Sequence, residues 1–106
     1  MPADRSHEPA AAVRVLIPSP LRSYTNGRAD VAVGVPLLAP ESPPTLQSVL
    51  AALDGVFPGI RFRIVDEQGG LRPHIKLFVG QAMVRNLNTV VPQGAEVMIV
   101  AALSGG

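Results

Sequence analysis

The sequence predicts an α+β fold: a mixed four- to five-stranded sheet with one main helix packed on one face, in the order β-β-α-β-β-β. Three observations predict it. Leu46, Val49, Leu50, Leu53 and Phe57 recur at the spacing of one helical face. The apolar runs on either side alternate with a period of two, as half-buried strands do. The first and last of those runs carry matching inward sets, Val13, Val15 and Ile17 against Val97, Ile99 and Ala101. Such sets belong side by side at the sheet centre, and a helical crossover between them permits parallel pairing where a short turn would not. One amphipathic helix needs one surface to cover, and the sheet supplies it.

Residues 1–11 are polar or small, with Pro2 and Pro9, and read as a flexible arm. The first strand, around Val13–Ile17, is ended by Pro18 and Pro20. Asn26-Gly27 is a strong turn signal, and Val31, Val33 and Val35 then alternate in a return strand within Ala29–Pro36. Pro40, Pro43 and Pro44 mark a linker before Thr45, which suits a helix N-cap. Gly55 falls where a glycine should close the helix, and Pro58 prevents its continuation. Ile60–Val65 alternates like a strand and fits an irregular or 3₁₀ connector equally well. Asp66–Gly70 is a loop, and His74–Val79 is a strand with Ile75, Leu77 and Val79 on one face. Gly80-Gln81 is a two-residue hairpin turn, Ala82–Val84 a short return strand, and Glu96–Ala101 the last strand. The expected organisation is an arm at 1–11, one domain at 12–101 and a flexible tail at 102–106.

Composition narrows the function. With 106 residues, 47% of them hydrophobic, the chain has ample material for one core. A net charge of +1 offers no electrostatic reason to expect nucleic acid or an anionic membrane. The absence of cysteine excludes disulfides, a thiol nucleophile and thiolate metal sites. No apolar run approaches the ~18 residues of a membrane span, and the first residues lack the apolar core of a signal peptide. A cytoplasmic protein, monomeric on its own, is the expectation. His7 and His74 have no ligand partners at metal spacing, so no metal site is expected. Asp66-Glu67 reads as a solvated turn, and Gly69-Gly70 lacks the residues of a phosphate loop.

The last strand is followed by Ala102-Leu103-Ser104-Gly105-Gly106. Two glycines without Cβ atoms are the thinnest end a protein can offer, able to thread a narrow channel. Extended, the five residues reach about 17 Å at most, enough to carry the Gly106 carboxylate into another protein's active site. A chain end of small residues is also a common inert feature. The body of the protein decides between the two.

A hairpin, one helix, further strands and a Gly-Gly end together resemble the ubiquitin-like β-grasp fold, and more narrowly the ThiS/MoaD family of sulfur-carrier proteins. The resemblance rests on Val13–Pro18, on Thr45–Leu50, on Ile75–Gln81 and on Gly94–Gly106. Gly94, Glu96 and Val97 fit the family's turn into its last strand, while Ala95 stands where an acidic residue is usual. The resemblance implies a protein without catalytic groups or a permanently bound cofactor. An ATP-dependent, ubiquitin-activating-type enzyme would adenylate the carboxylate of Gly106 and convert it to a thiocarboxylate. The sulfur would then pass to a synthase making cysteine, molybdopterin, thiamine or a specialised metabolite. By this resemblance Gly106 would be the reacting residue, Gly105 would give clearance, and Ser104 and Leu103 would contact the channel.

Period-two parity adds a docking face. With Val13, Val15 and Ile17 turned to the helix, Leu16 points the other way, and Phe78, Met98 and Val100 join it. An uncovered apolar cluster beside the tail is an association site. Two alternatives remain: a modifier conjugated to lysines through Gly106, and an interaction module with an inert tail. Lys76 is the only lysine, which modestly disfavours a chain-forming tag.

Overall fold

The computed structural model describes residues 10–39 and 41–102. Strand β1 (Ala10–Leu16) is followed by a 3₁₀ turn at Ser19–Leu21 and strand β2 (Asp30–Pro36). Helices α1 (Leu46–Val56) and α2 (Ile60–Ile64) lead to strands β3 (Ile75–Val79), β4 (Ala82–Val84) and β5 (Val97–Ala101). The five strands form one sheet in the order β2-β1-β5-β3-β4. β1 and β5 lie at its centre and run parallel, with Val15 opposite Val97 and Leu16 opposite Met98. All other pairings are antiparallel. The expected α+β class, mixed sheet and central parallel pair of first and last strands are all present.

The core follows the alternation. Val13 and Val15, Val31, Val33 and Val35, Ile75 and Leu77, and Val97 and Ile99 are buried on one face of the sheet. Leu46, Val49, Leu50 and Leu53 of α1 are fully buried against it. Ile60 and Ile64 of α2, with Leu87 and Val91 from the loop before β5, close the ends of this layer. Among the described residues no helix is long and apolar enough to cross a membrane.

Local chemistry sets the element ends. Thr45 and Ser48 form a reciprocal capping box. The Ser48 N–H donates to Thr45 Oγ1 at 3.3 Å, and the Thr45 N–H donates to Ser48 Oγ at 2.9 Å. Two N–H groups that the helix cannot satisfy internally thereby gain partners. Thr45→Ala is expected to cost about 1 kcal/mol and lower the melting temperature by about 4–6 °C, read by thermal unfolding. A melting temperature within 1 °C of wild type, on the order of measurement error, would remove the cap from the stability argument. Asn26 and Gly27 take the left-handed conformation expected of the Asn-Gly turn. Gly80 alone is left-handed in the β3–β4 turn, the pattern of a type II′ hairpin.

Three expectations are corrected. β1 begins at Ala10 rather than after residue 11, because β2 runs to Pro36 and pairs with Ala10 and Ala11. Gly55 lies inside α1 rather than closing it; the helix ends at Val56 with Phe57 as its cap, and Gly59 adopts the left-handed conformation with φ +98°. The Tyr24 ring lies 3.2 Å from where a Cβ on Gly59 would sit, so this position excludes a side chain twice over. Ile60–Ile64 is a short α-helix rather than a strand or 3₁₀ connector. Asp54 Oδ1 accepts from the N–H groups of Gly59 and Arg61, both at 3.0 Å, and so caps the new helix from the end of the old one. Ile60 and Ile64 then share a buried face at i and i+4, while Phe62, which a strand would have buried beside them, is 53% exposed.

Candidate functional site: the open sheet face and the root of the tail

The helices cover one face of the sheet. On the other, the register aligns one apolar row across four strands. Leu16 on β1 lies opposite Met98 on β5, Met98 opposite Phe78 on β3, and Phe78 opposite Met83 on β4. Val100 follows Met98 on the same face, opposite Lys76. Leu16, Phe78, Met98 and Val100 are half-buried, and Met83 is 51% exposed. The structure therefore places the four residues read from parity together on one surface. It adds Met83, which sequence reasoning missed. The two-residue turn at Gly80-Gln81 carried the signal: it forces Val79 opposite Ala82, and so Phe78 opposite Met83.

Charged residues border the row. Arg14 reaches across the sheet to two carboxylates, hydrogen-bonding to Asp30 on β2 through Nε at 3.2 Å and to Glu96 through Nη1 at 3.0 Å. The Asp30 hydrogen bond, then the charges of Asp30 and Glu96, raise the Arg14 pKa above its usual value. On the opposite border, the exposed Lys76 sits beside Val100. The surface thus has an apolar middle and a charged rim, the anatomy of an association surface.

The tail leaves from the sheet's centre. β5 ends at Ala101, and the N–H of Ala102 donates to the carbonyl of His74 at 2.9 Å. Leu103, Ser104, Gly105 and Gly106, the residues assigned to activation and tail recognition, lie outside the described residues, as does His7. Where Ala102 leaves, a groove of about 290 Å³ opens between α2, the 3₁₀ turn and the start of β3. Arg63, Arg72 and His74 line it over an apolar floor that includes Leu21 and Ile75. The sequence singled out His74 alone of these three.

The other polar groups are occupied in turns. Asp66 Oδ1 accepts from the N–H groups of Gln68 and Gly70, both at 2.9 Å, an Asx-type turn. Glu67 is exposed beside it. Among the described residues, no group of three or more His, Asp or Glu side chains is placed to hold a metal ion.

No protein-family model matches the chain, and no curated protein matches it by sequence. Solved structures do match. A chain of the Amycolatopsis orientalis BexX/CysO complex is 28% identical over 90% of this chain and 100% of its own, with a TM-score of 0.75. SAMP1 from Haloferax volcanii is 23% identical over 91% of this chain and 100% of its own, with a TM-score of 0.73, a likeness of fold. CysO of Mycobacterium tuberculosis is 30% identical over 86% of this chain and 99% of its own, with a TM-score of 0.73. That identity, sustained over nearly the whole of a protein of the same fold, makes this chain a member of the ThiS/MoaD family of ubiquitin-like β-grasp proteins.

Proposed function

We propose that the chain is a sulfur carrier activated at Gly106, and that it supplies sulfur as a co-substrate rather than as an enzyme. The observation that carries this reading is the position of β5. The strand that ends the fold is held on both sides at the sheet centre, and the sequence after its last hydrogen bond is Leu103-Ser104-Gly105-Gly106. A rigid strand fixes where the tail starts, and the two glycines set how narrow a tunnel its end can enter.

The chemistry belongs to the partner and to the terminal carboxylate. An α-carboxylate has a pKa of about 3.3–3.7, so at neutral pH it is an anion that resists nucleophilic attack. In the proposed reaction, an oxygen of the Gly106 carboxylate attacks the α-phosphorus of ATP and displaces pyrophosphate. A hydrosulfide sulfur then adds to the acyl carbon, and AMP leaves with the C–O bond electrons. The thiocarboxylate so formed hands its sulfur to a synthase. ATP is bound by the activating enzyme, and this chain needs no cofactor of its own. The open face with Leu16, Phe78, Met98, Val100 and Met83 docks the body against that enzyme while Leu103 and Ser104 line up in its channel. A similar chain in complex with BexX supports docking to a second protein as part of this cycle.

The test is incubation of the intact chain with ATP, sulfide and a cognate activating enzyme, read by intact mass. The expected result is a single oxygen-for-sulfur exchange that disappears when Gly106 is deleted. High-mass adducts on lysine would instead mark a modifier. An unchanged mass would leave an interaction module with an inert tail.

A further inference from the structure

The groove at the root of the tail has a chemistry that the carrier reaction does not use. Arg63 and Arg72 both line it, and each is tethered through Nε. Arg72 Nε donates to the Phe62 carbonyl at 2.7 Å, and its guanidinium lies 4.5 Å from the Phe62 ring centre. Arg63 Nε donates to the Tyr24 hydroxyl, and its guanidinium lies 5.8 Å from the Tyr24 ring centre. Among the described residues the salt bridges are those of Arg14 with Asp30 and Glu96; neither Arg63 nor Arg72 joins one. Among the described residues the lining holds no carboxylate. Two guanidiniums are therefore held by their Nε groups, that of Arg72 also stacked on the Phe62 ring, and among the described residues their terminal nitrogens have no hydrogen-bond partner. Holding the fork in place lowers the entropy cost of binding planar oxyanions.

We infer that this groove is a binding site for a carboxylate-bearing segment of the activating partner, gripped by Arg63 and Arg72 beside the exit point of the tail. The inference rests on the function proposed above, and it names the chemistry at the mouth of the partner's channel. Three observations favour a carboxylate on a protein over other occupants. The positive groups flank an apolar floor of Leu21 and Ile75, which suits a peptide carrying an acidic and an aliphatic residue. Ala101 and Ala102 form one wall, so a protein that swallows the tail necessarily passes this groove. The reacting carboxylate lies four residues beyond Ala102, about 14 Å along an extended chain, so a phosphate at the reaction centre is out of reach of these arginines when the tail is drawn into a channel.

The experiment has two arms. In the first, the isotopically labelled full chain is titrated with a blocked, amidated peptide of sequence Glu-Leu-Glu-Glu and followed by amide NMR. Saturating shifts are expected at Arg63, Arg72, His74, Ala101 and Ala102. Arg63→Gln/Arg72→Gln should weaken binding at least tenfold, and Arg85→Gln, outside the groove, should leave it unchanged. Absence of saturation, or equal binding by the double variant, would overturn the site. Groove shifts produced simply by deleting Gly105 and Gly106, with no peptide present, would also overturn it, since the chain's own carboxylate would then be the occupant. In the second arm, the activating enzyme's KM for the double variant should rise at least tenfold with kcat within twofold, and the difference should shrink at high salt. An unchanged KM with normal wild-type thiocarboxylation would overturn the groove alone. A wild-type chain that is never thiocarboxylated would overturn the carrier function, while the peptide titration would still report the groove.

Discussion

Gly105→Val is expected to unfold at the wild-type temperature and to be thiocarboxylated at least about 100-fold more slowly. The two halves of this result have separate causes. The buried hydrophobic residues run from Val13 to Ile99, and the sheet ends at Ala101, so the described core is complete before the tail begins. Activation, in contrast, depends on placing the Gly106 carboxylate against the α-phosphorus of ATP. A branched Cβ next to the reacting residue restricts φ and adds bulk where a channel must close around bare backbone. A displacement of about 1 Å at a reacting centre commonly costs about 100-fold in rate. Gly105→Ala should fall between wild type and Gly105→Val, because its single methyl adds less width and no branching. The measurement is the initial rate of thiocarboxylate formation by mass, alongside thermal unfolding by circular dichroism. Wild-type rates for Gly105→Val would remove the steric basis of the tail's role.

The parts of the structure that sequence made legible share a cause, and so do the parts it did not. Periodicity is a property of the chain's own geometry. The alternation of Val13, Val15, Val31, Val33, Ile75, Leu77, Val97 and Ile99 therefore marked both the strands and the face they bury. The same parity located Leu16, Phe78, Met98 and Val100 on the opposite face. The stretch at Ile60–Ile64 was ambiguous because positions 60, 62 and 64 satisfy a strand, while positions 60 and 64 satisfy a helix. A distant group, the Asp54 carboxylate accepting from Gly59 and Arg61, tips the balance. The left-handed turn at Gly59, between the end of α1 at Phe57 and the start of α2, has the same origin, since the Tyr24 ring that packs there comes from another part of the chain. The basic groove was invisible for a stronger reason. Arg63 and Arg72 are separated by a loop in sequence, and a β5 residue more than twenty positions later completes the wall. No local spacing encodes that meeting. Glu96 is an intermediate case: it fits the turn that the family resemblance marks, but its ion pair with Arg14 depends on β1 and β5 lying together.

Charges placed in the apolar row should separate docking from folding, and the register decides which charges to use. Leu16 lies opposite Asp30 on β2. An acidic residue there would face a carboxylate directly and destabilise the pair, whereas Leu16→Lys creates an opposite-charge pair across the strands. Phe78 lies opposite Met98 on one side and Met83 on the other, with Lys76 two residues away on the same face, so Phe78→Asp meets a cation rather than an anion. Both side chains are half-buried on the sheet face that the helices leave open, and neither belongs to the buried core. The combined Leu16→Lys/Phe78→Asp chain should therefore fold, losing no more than about 2 kcal/mol from strand propensity and lost apolar contact. Its affinity for the activating enzyme should fall at least about 30-fold, since removal of a central apolar anchor typically costs about 2 kcal/mol or more. A charge left in a desolvated interface adds to that cost. Met83→Ala, at the exposed end of the row, should lose less, because rim positions contribute less than central ones. Calorimetric titration of each variant against the activating enzyme measures the ordering, with thermal unfolding as the control. If the double variant binds like wild type, the partner approaches from another side, and the alignment of Leu16, Met98, Phe78 and Met83 reflects strand packing alone.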